Sequence, residues 1–224
     1  MQRQRQALVA TNELLVRDLN RTCVIAWSVC NEPGGPKTLP RPEMRELQTL
    51  SLHDLIGAAR RDGTRPVTFA NIPEHTDEAN GACDFLSLNE YAGWYYDLGR
   101  SPEATVGAVE KKLREIHERF CKPIMISECG ADTLPGCHLM SAGLWSEEWQ
   151  ASLMVQYASL AGKHPWLFGV HVWNLCDFRA PQMHLRAMGL NHKGVFTRLR
   201  EPKLAAHKLR ERWKPDEARG TAFT

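Results

Sequence analysis

Neither an H-E-x-x-H motif nor a C-x-x-C pair occurs in the chain, and the histidines at 53, 75, 117, 138 and 207 show no ligand spacing. A metal site is therefore not expected. Charge of one sign is also missing: 28 Lys and Arg stand against 26 Asp and Glu. That balance is too even for the basic stripe that nucleic acid or anionic lipid requires, so neither is expected as a partner. The N-terminal "MQRQRQALVATNELL" is charged and then amphipathic. It lacks the apolar run and small-residue cleavage site of a signal peptide and the length of a membrane anchor, so a cytoplasmic chain is expected. Internal repeats, low-complexity tracts and long linkers are absent as well.

What is present is the balance of an ordinary globular protein, 43% hydrophobic and 24% charged over 224 residues, enough for one sizeable core. The seven cysteines are odd in number and several sit inside apolar runs. They read as reduced and mostly buried.

Hydrophobic periodicity alternates between helical and strand-like along the chain. Leu8, Leu15, Val16 and Leu19 predict an opening helix with one apolar face, stopped near Asn20. "CVIAWSV" (23–29) is strand-like, and a helix after Pro42 carries Leu52, Leu55, Ile56 and Ala59. "RPVTFAN" (65–71) and "DFLSLNEY" (84–91) are the next strands, followed by a helix marked by Val106, Val109, Leu113, Ile116 and Phe120. "KPIMISECG" (122–130) precedes a helix from about Glu147, capped by Ser146, with Trp149, Leu153, Tyr157 and Leu160 inward. "WLFGVHVWNLCDF" (166–178) is the fifth strand, and a last helix after Pro202 carries Ala205, Leu209 and Trp213. Five strands separated by amphipathic helices predict a parallel α/β sheet, because each parallel strand needs a crossover that covers a sheet face.

Parallel sheets of this kind present functional residues at the C-terminal ends of their strands. Four of the five strands finish on polar groups of one class: Asn31-Glu32, Asn89-Glu90-Tyr91, Glu128 and Trp173-Asn174. A carboxylate at the end of a buried strand is costly unless it is paired, which makes Glu32 in "AWSVCNEPGG" conspicuous. Glu32 and Glu128 are 96 positions apart, so only the fold could unite them. Two such carboxylates are what glycoside hydrolysis requires, one to protonate the leaving oxygen and one to attack or to activate water.

These residues carry a resemblance. "VIAWSVCNEP" is similar to the Asn-Glu-Pro motif of the acid/base in glycoside hydrolase family 2, and "PIMISECGAD" to the Ser/Thr-Glu-x-Gly motif of its nucleophile. "LSLNEYAGWYYDLG", "GVHVWNLCDF" and "LRAMGLNHKGVFTRLREPKLAAHKLRERW" resemble further blocks of the β-glucuronidases in that family. The likeness runs from about Glu13 to Pro215. It implies Glu32 as acid/base, Glu128 as nucleophile and Asn31 as the neighbour bonding the sugar hydroxyl beside the reacting carbon. It further implies Tyr91 as a donor to Glu128, and Asn89, Tyr95 and Trp173 as lining of the sugar site. Asn191 and Lys193 match the Asn-x-Lys pair that recognises the sugar carboxylate, a task suited to an ammonium beside an amide. Arg186 is a second candidate for that carboxylate.

The implied activity is retaining cleavage of β-D-glucuronides by double displacement, with no cofactor, and homo-oligomers are implied as well. A β-galacturonidase and a non-catalytic remnant that only binds sugar or a partner are the alternatives. Cys129, Glu90 and Ala92 depart from the usual residues of their blocks. The first strong strand carries the motif that the family places on strand four of its (β/α)8 TIM barrel. Residues 1–214 are thus expected to form a partial barrel equivalent to strands four to eight, without strands one to three or the β-sandwich domains. Residues 215–224 are expected to be a disordered tail.

Overall fold

The computed structural model describes residues 2–34, 41–73, 78–181 and 183–214; the tail expected at 215–224 lies outside the described residues. The elements are α1 (Gln2–Asp18), β1 (Trp27–Asn31), α2 (Pro42–Ala59), β2 (Val67–Asn71), α3 (Glu78–Gly81), β3 (Leu86–Asn89) and α4 (Pro102–Phe120). They continue with β4 (Ile124–Cys129), α5 (Glu147–Ala158), β5 (Leu167–Val172), β6 (Phe178–Arg179), β7 (Leu190–Asn191) and α6 (Leu204–Trp213). Strands β1 to β5 form one sheet in chain order. Trp27 lies opposite Val67 and Ala70 opposite Ser87, both in parallel register, as strand and helix alternation predicts.

The chain divides into two compact units. The first comprises the described residues of Met1–Glu90, Lys112–Ser127 and Pro165–Gly169. Its core joins Leu52, Leu55, Ile56 and Ala59 of α2 to Val67 and Phe69 of β2 and Leu86 and Leu88 of β3. All five residues of β2 are buried, as befits a strand covered on both faces. The start of β1 is held by Trp27, whose indole N–H donates to Asp62 Oδ2 at 2.7 Å while Arg65 pairs with the same oxygen at 3.1 Å.

Three expectations are corrected here. In α1, Leu15 is buried but Val16 is 83% exposed and Leu19 lies beyond the helix end. Val16 sits about 100° around the helix from Leu15. The buried stripe instead includes Thr11, whose hydroxyl donates to Ala7 O, and Asp18, paired with Arg17 and Arg21. The first strand begins at Trp27 rather than Cys23, and Ile25 is exposed. Accordingly the cysteines, all free, are not mostly buried: only Cys83, Cys129 and Cys176 are, while Cys23 and Cys121 stand exposed in connections before strands.

The second unit comprises the described residues of Tyr91–Lys111, Glu128–His164 and Val170–Thr224. Ser146 caps α5 by accepting the Trp149 N–H at 3.1 Å, and Trp149, Leu153, Tyr157 and Leu160 are buried as predicted. The tips of these aromatics are satisfied: Trp149 donates to Gly93 O and Tyr157 to Ala92 O. In α6, Ala205 and Leu209 are buried but Trp213 is exposed, because a residue eight positions on has rotated about 80° off the face.

An antiparallel ribbon, β6 against β7, was not visible in the sequence. Beside it lies Lys203, 1% exposed, whose ammonium donates to Asp177 Oδ1 at 2.9 Å, His192 O at 3.0 Å and Thr133 O at 3.3 Å. Burial outweighs these bonds and holds the Lys203 ammonium below the usual lysine range. No described helix is long and apolar enough to cross a membrane, and no cluster of metal-ligating side chains occurs among the described residues.

Candidate active site

In the first unit the chain leaves β1 at Asn31 and turns sharply at Glu32, whose φ of 45° lies in the left-handed region that non-glycine residues rarely adopt. The Glu32 N–H donates to Ala70 O at 2.9 Å, which ties the turn to β2. Asn31 and Glu32 are both exposed, so this strand-end carboxylate bears no large desolvation cost. Asn89, at the end of β3, is 1% exposed and links them: its Nδ2 donates to Asn31 Oδ1 at 3.0 Å and to Glu32 Oε1 at 2.8 Å. Ser127 on β4 donates its hydroxyl to Asn89 Oδ1 at 2.7 Å.

In the second unit Glu128 follows Ser127 on β4, and the Tyr91 hydroxyl donates to its Oε2 at 2.5 Å. The Tyr91 ring lies 5.1 Å from that of Tyr95. Tyr95 in turn accepts from Lys193 Nζ at 3.0 Å and from Arg186 Nη2 at 2.9 Å, so one phenolic oxygen meets two cations. The Lys193 ammonium also stands over the rings of Tyr95, Trp94 and Tyr91, at 4.6, 5.2 and 5.8 Å.

Asp132 balances those cations. It is fully buried; its Oδ2 accepts from Lys193 Nζ and, at 3.5 Å, from Arg186 Nη1, while Oδ1 accepts the His192 N–H at 2.7 Å. Asn191 shapes the loop locally, accepting the Lys193 N–H on its side-chain oxygen at 3.1 Å. Trp173 is 37% exposed, its ring edge-on to Phe178 at 6.1 Å. Its backbone N–H donates to Cys129 O, and a Cβ on Gly130 would stand 2.1 Å from Trp173 O, so only glycine allows this approach.

Asn31, Glu32 and Asn89 are thus brought together in the first unit. Glu128 with Tyr91, and Tyr95 with Arg186 and Lys193, are brought together in the second. Ser127 and Asp132 stand on either side of Glu128 in "ISECGAD" and were given no role from sequence. Ser127 fills the first position of the Ser/Thr-Glu-x-Gly motif, and for Asp132 nearness to a candidate nucleophile is the available signal.

Residues 2–217 match the family described as Glycosyl hydrolases family 2, TIM barrel domain, and the chain belongs to that family. Its five-stranded parallel sheet is consistent with part of such a barrel. Within the family the chain is similar to the β-glucuronidase of Mus musculus, 35% identical over 212 residues covering 93% of this chain and 31% of that protein. It is also similar to the β-glucuronidase of Streptococcus agalactiae, 37% identical and covering 91% of this chain and 33% of the relative. Among solved structures, the β-D-glucuronidase of Dictyoglomus thermophilum superposes with a TM-score of 0.83 at 34% identity, covering 95% of this chain and 36% of that one. The β-glucuronidase of Ruminococcus gnavus in complex with D-glucuronic acid gives 0.81 at 30% identity, covering 94% and 36%. The chain spans about a third of the length of these relatives.

Proposed function

We propose that this chain carries the catalytic residues of a retaining β-glucuronidase. The observation that carries the reading is the Tyr91–Glu128 hydrogen bond, which gives the strand-end carboxylate an oriented donor of the kind a positioned nucleophile needs. In the first step a Glu128 oxygen bonds to the anomeric carbon, the bond from that carbon to the aglycone oxygen breaks, and Glu32 gives its proton to the departing oxygen. In the second, Glu32 takes a proton from water, the water oxygen bonds to the anomeric carbon, and the ester to Glu128 breaks. Glucuronic acid leaves with its configuration retained and both carboxyl groups are restored.

Asn31 bonds the hydroxyl beside the anomeric carbon, Asn89 and Trp173 line the ring, and Lys193, Arg186 and Asn191 receive the sugar carboxylate beside Tyr95. Similarity to β-glucuronidases, one of them bound to D-glucuronic acid, supports the choice of sugar. No cofactor has a part in these steps. The cytoplasm, suggested by an odd number of free cysteines, and a homo-oligomeric state, suggested by the family likeness, belong to the same proposal.

The test is hydrolysis of aryl β-glucuronides and aryl β-galacturonides. Glu128→Gln is expected to abolish turnover of every substrate, since an amide cannot form the glycosyl ester. Glu32→Gln is expected to retain partial activity on substrates whose leaving group needs little protonation, since only general-acid help is lost on the first step. Preference for the galacturonide would change the sugar, and a folded chain that cleaves neither would leave a binding remnant.

A further inference from the structure

The Asn89 amide meets three acceptor or hydroxyl oxygens at once, and their identities fix which way it faces. Asn31 Oδ1 and Glu32 Oε1 lie on one side, at 3.0 and 2.8 Å from Nδ2. Both are acceptors toward the amide, so the reversed amide would set its carbonyl oxygen against two lone-pair-bearing oxygens. On the other side stands the Ser127 hydroxyl, 2.7 Å from Oδ1. A hydroxyl there donates to the carbonyl and holds the NH2 group toward Glu32.

We propose that Ser127 is a positioning residue for Glu32, acting through the Asn89 amide; the inference rests on the reading of Glu32 as the acid/base. The chain runs Ser127 O–H to Asn89 Oδ1, then Asn89 N–H to Glu32 Oε1 and Asn31 Oδ1. Its effect is to occupy Oε1 with a fixed donor, which leaves Oε2 to carry the proton given to the leaving oxygen. The second N–H of Asn89 occupies the oxygen of Asn31, so Asn31 presents its own NH2 group to a sugar hydroxyl. One hydroxyl on β4 thereby sets two groups at the end of β1. The exposed, left-handed Glu32 needs such a restraint, because its own burial supplies none.

The test uses the full chain with Ser127→Ala, Ser127→Thr and, as reference, Glu32→Gln. Exchange of the Asn89 side-chain amide protons, followed by NMR, needs no turnover. Ser127→Ala is expected to speed that exchange about tenfold and Ser127→Thr, which keeps the hydroxyl, to restore it. In hydrolysis, Ser127→Ala is expected to lower kcat/KM on the order of tenfold for phenyl β-glucuronide, whose leaving group needs protonation. For the 2,4-dinitrophenyl substrate, which does not, the loss is expected to be under about threefold. Unchanged amide exchange in Ser127→Ala would overturn the inference. So would an equal kinetic loss on both substrates while Glu32→Gln remains selective. A Glu32→Gln variant without selectivity would overturn the assignment of Glu32 itself, a separate failure.

Discussion

The Tyr91 hydroxyl donates to Oε2 of Glu128 at 2.5 Å, at the short end of the range for a hydroxyl and a carboxylate. Tyr91→Phe keeps the ring beside Tyr95 and removes only the donor. A hydrogen bond to a charged group is worth about 1.5–3 kcal/mol, so kcat/KM on 4-nitrophenyl β-glucuronide is expected to fall roughly 10- to 100-fold. Thermal unfolding should be nearly unchanged. A Tm loss of the size seen on deleting the ring would make Tyr91 a packing residue instead.

Lys193 and Asp132 are a buried ion pair with side chains 1% and 0% exposed. Lys193→Met leaves Asp132 with the His192 N–H and the more distant Arg186 cation at 3.5 Å, and is expected to destabilise by about 3 kcal/mol in urea unfolding, with Asp132→Asn similarly harmful. The double variant should cost less than the two losses added, since neither charge is then stranded. The specificity reading adds a second measurement: the ratio of kcat/KM for a glucuronide to that for the corresponding glucoside should drop in Lys193→Met. Equal losses on both sugars would mean that Lys193 supports the loop and does not read the substrate.

Gly194 has no room for a methyl group. An added Cβ would stand 2.2 Å from Asp177 N and 2.5 Å from both Cys176 C and Phe196 O, all backbone atoms that cannot swing aside. Gly194→Ala is expected to cost about 3 kcal/mol or more. Gly57, inside α2 with nothing within 4 Å of its added Cβ, is the contrast. There Gly57→Ala should stabilise by roughly 0.5–1 kcal/mol. Denaturant midpoints of the two variants, moving in opposite directions, are the check.

His138 Nδ1 lies 2.7 Å from Glu148 Oε1, and that bond raises the imidazole pKa and lowers that of the carboxyl. Whatever stability the pair adds is complete between about 4.5 and 6.5, the ordinary values of the two groups. It is lost as pH rises through the folded His138 pKa and again as pH falls through that of folded Glu148. An NMR titration should place His138 above about 6.5, and Glu148→Gln should return it there. A midpoint indifferent to Glu148→Gln would remove the pair as its cause.

The sheet was legible because its strands announce themselves: Pro66 and Pro123 stand just ahead of β2 and β4, and β2 is apolar enough to be buried throughout. The candidate carboxylates were legible through their place at strand ends. The ribbon of β6 and β7 was not, since two residues per strand leave no period to read. Lys193 and Lys203 were unreadable as buried groups for another reason. Each is satisfied by acceptors far off in sequence, Asp132 at 61 positions and Thr133 at 70, and periodicity registers apolar faces rather than distant partners. Val16 and Trp213 erred in the opposite direction, as apolar residues that helical rotation carries away from the covered face.

Because the five strands of the sheet follow one another in the same order as in the chain, each of β2 to β5 finds a hydrogen-bonding neighbour in the strand synthesised just before it. No strand must wait for a distant one, so each loop to be closed is a single crossover. During translation these strands can therefore be added one at a time behind the ribosome, with Asn31 and Glu32 already at the end of β1 when Asn89, and then Ser127, emerge to receive them.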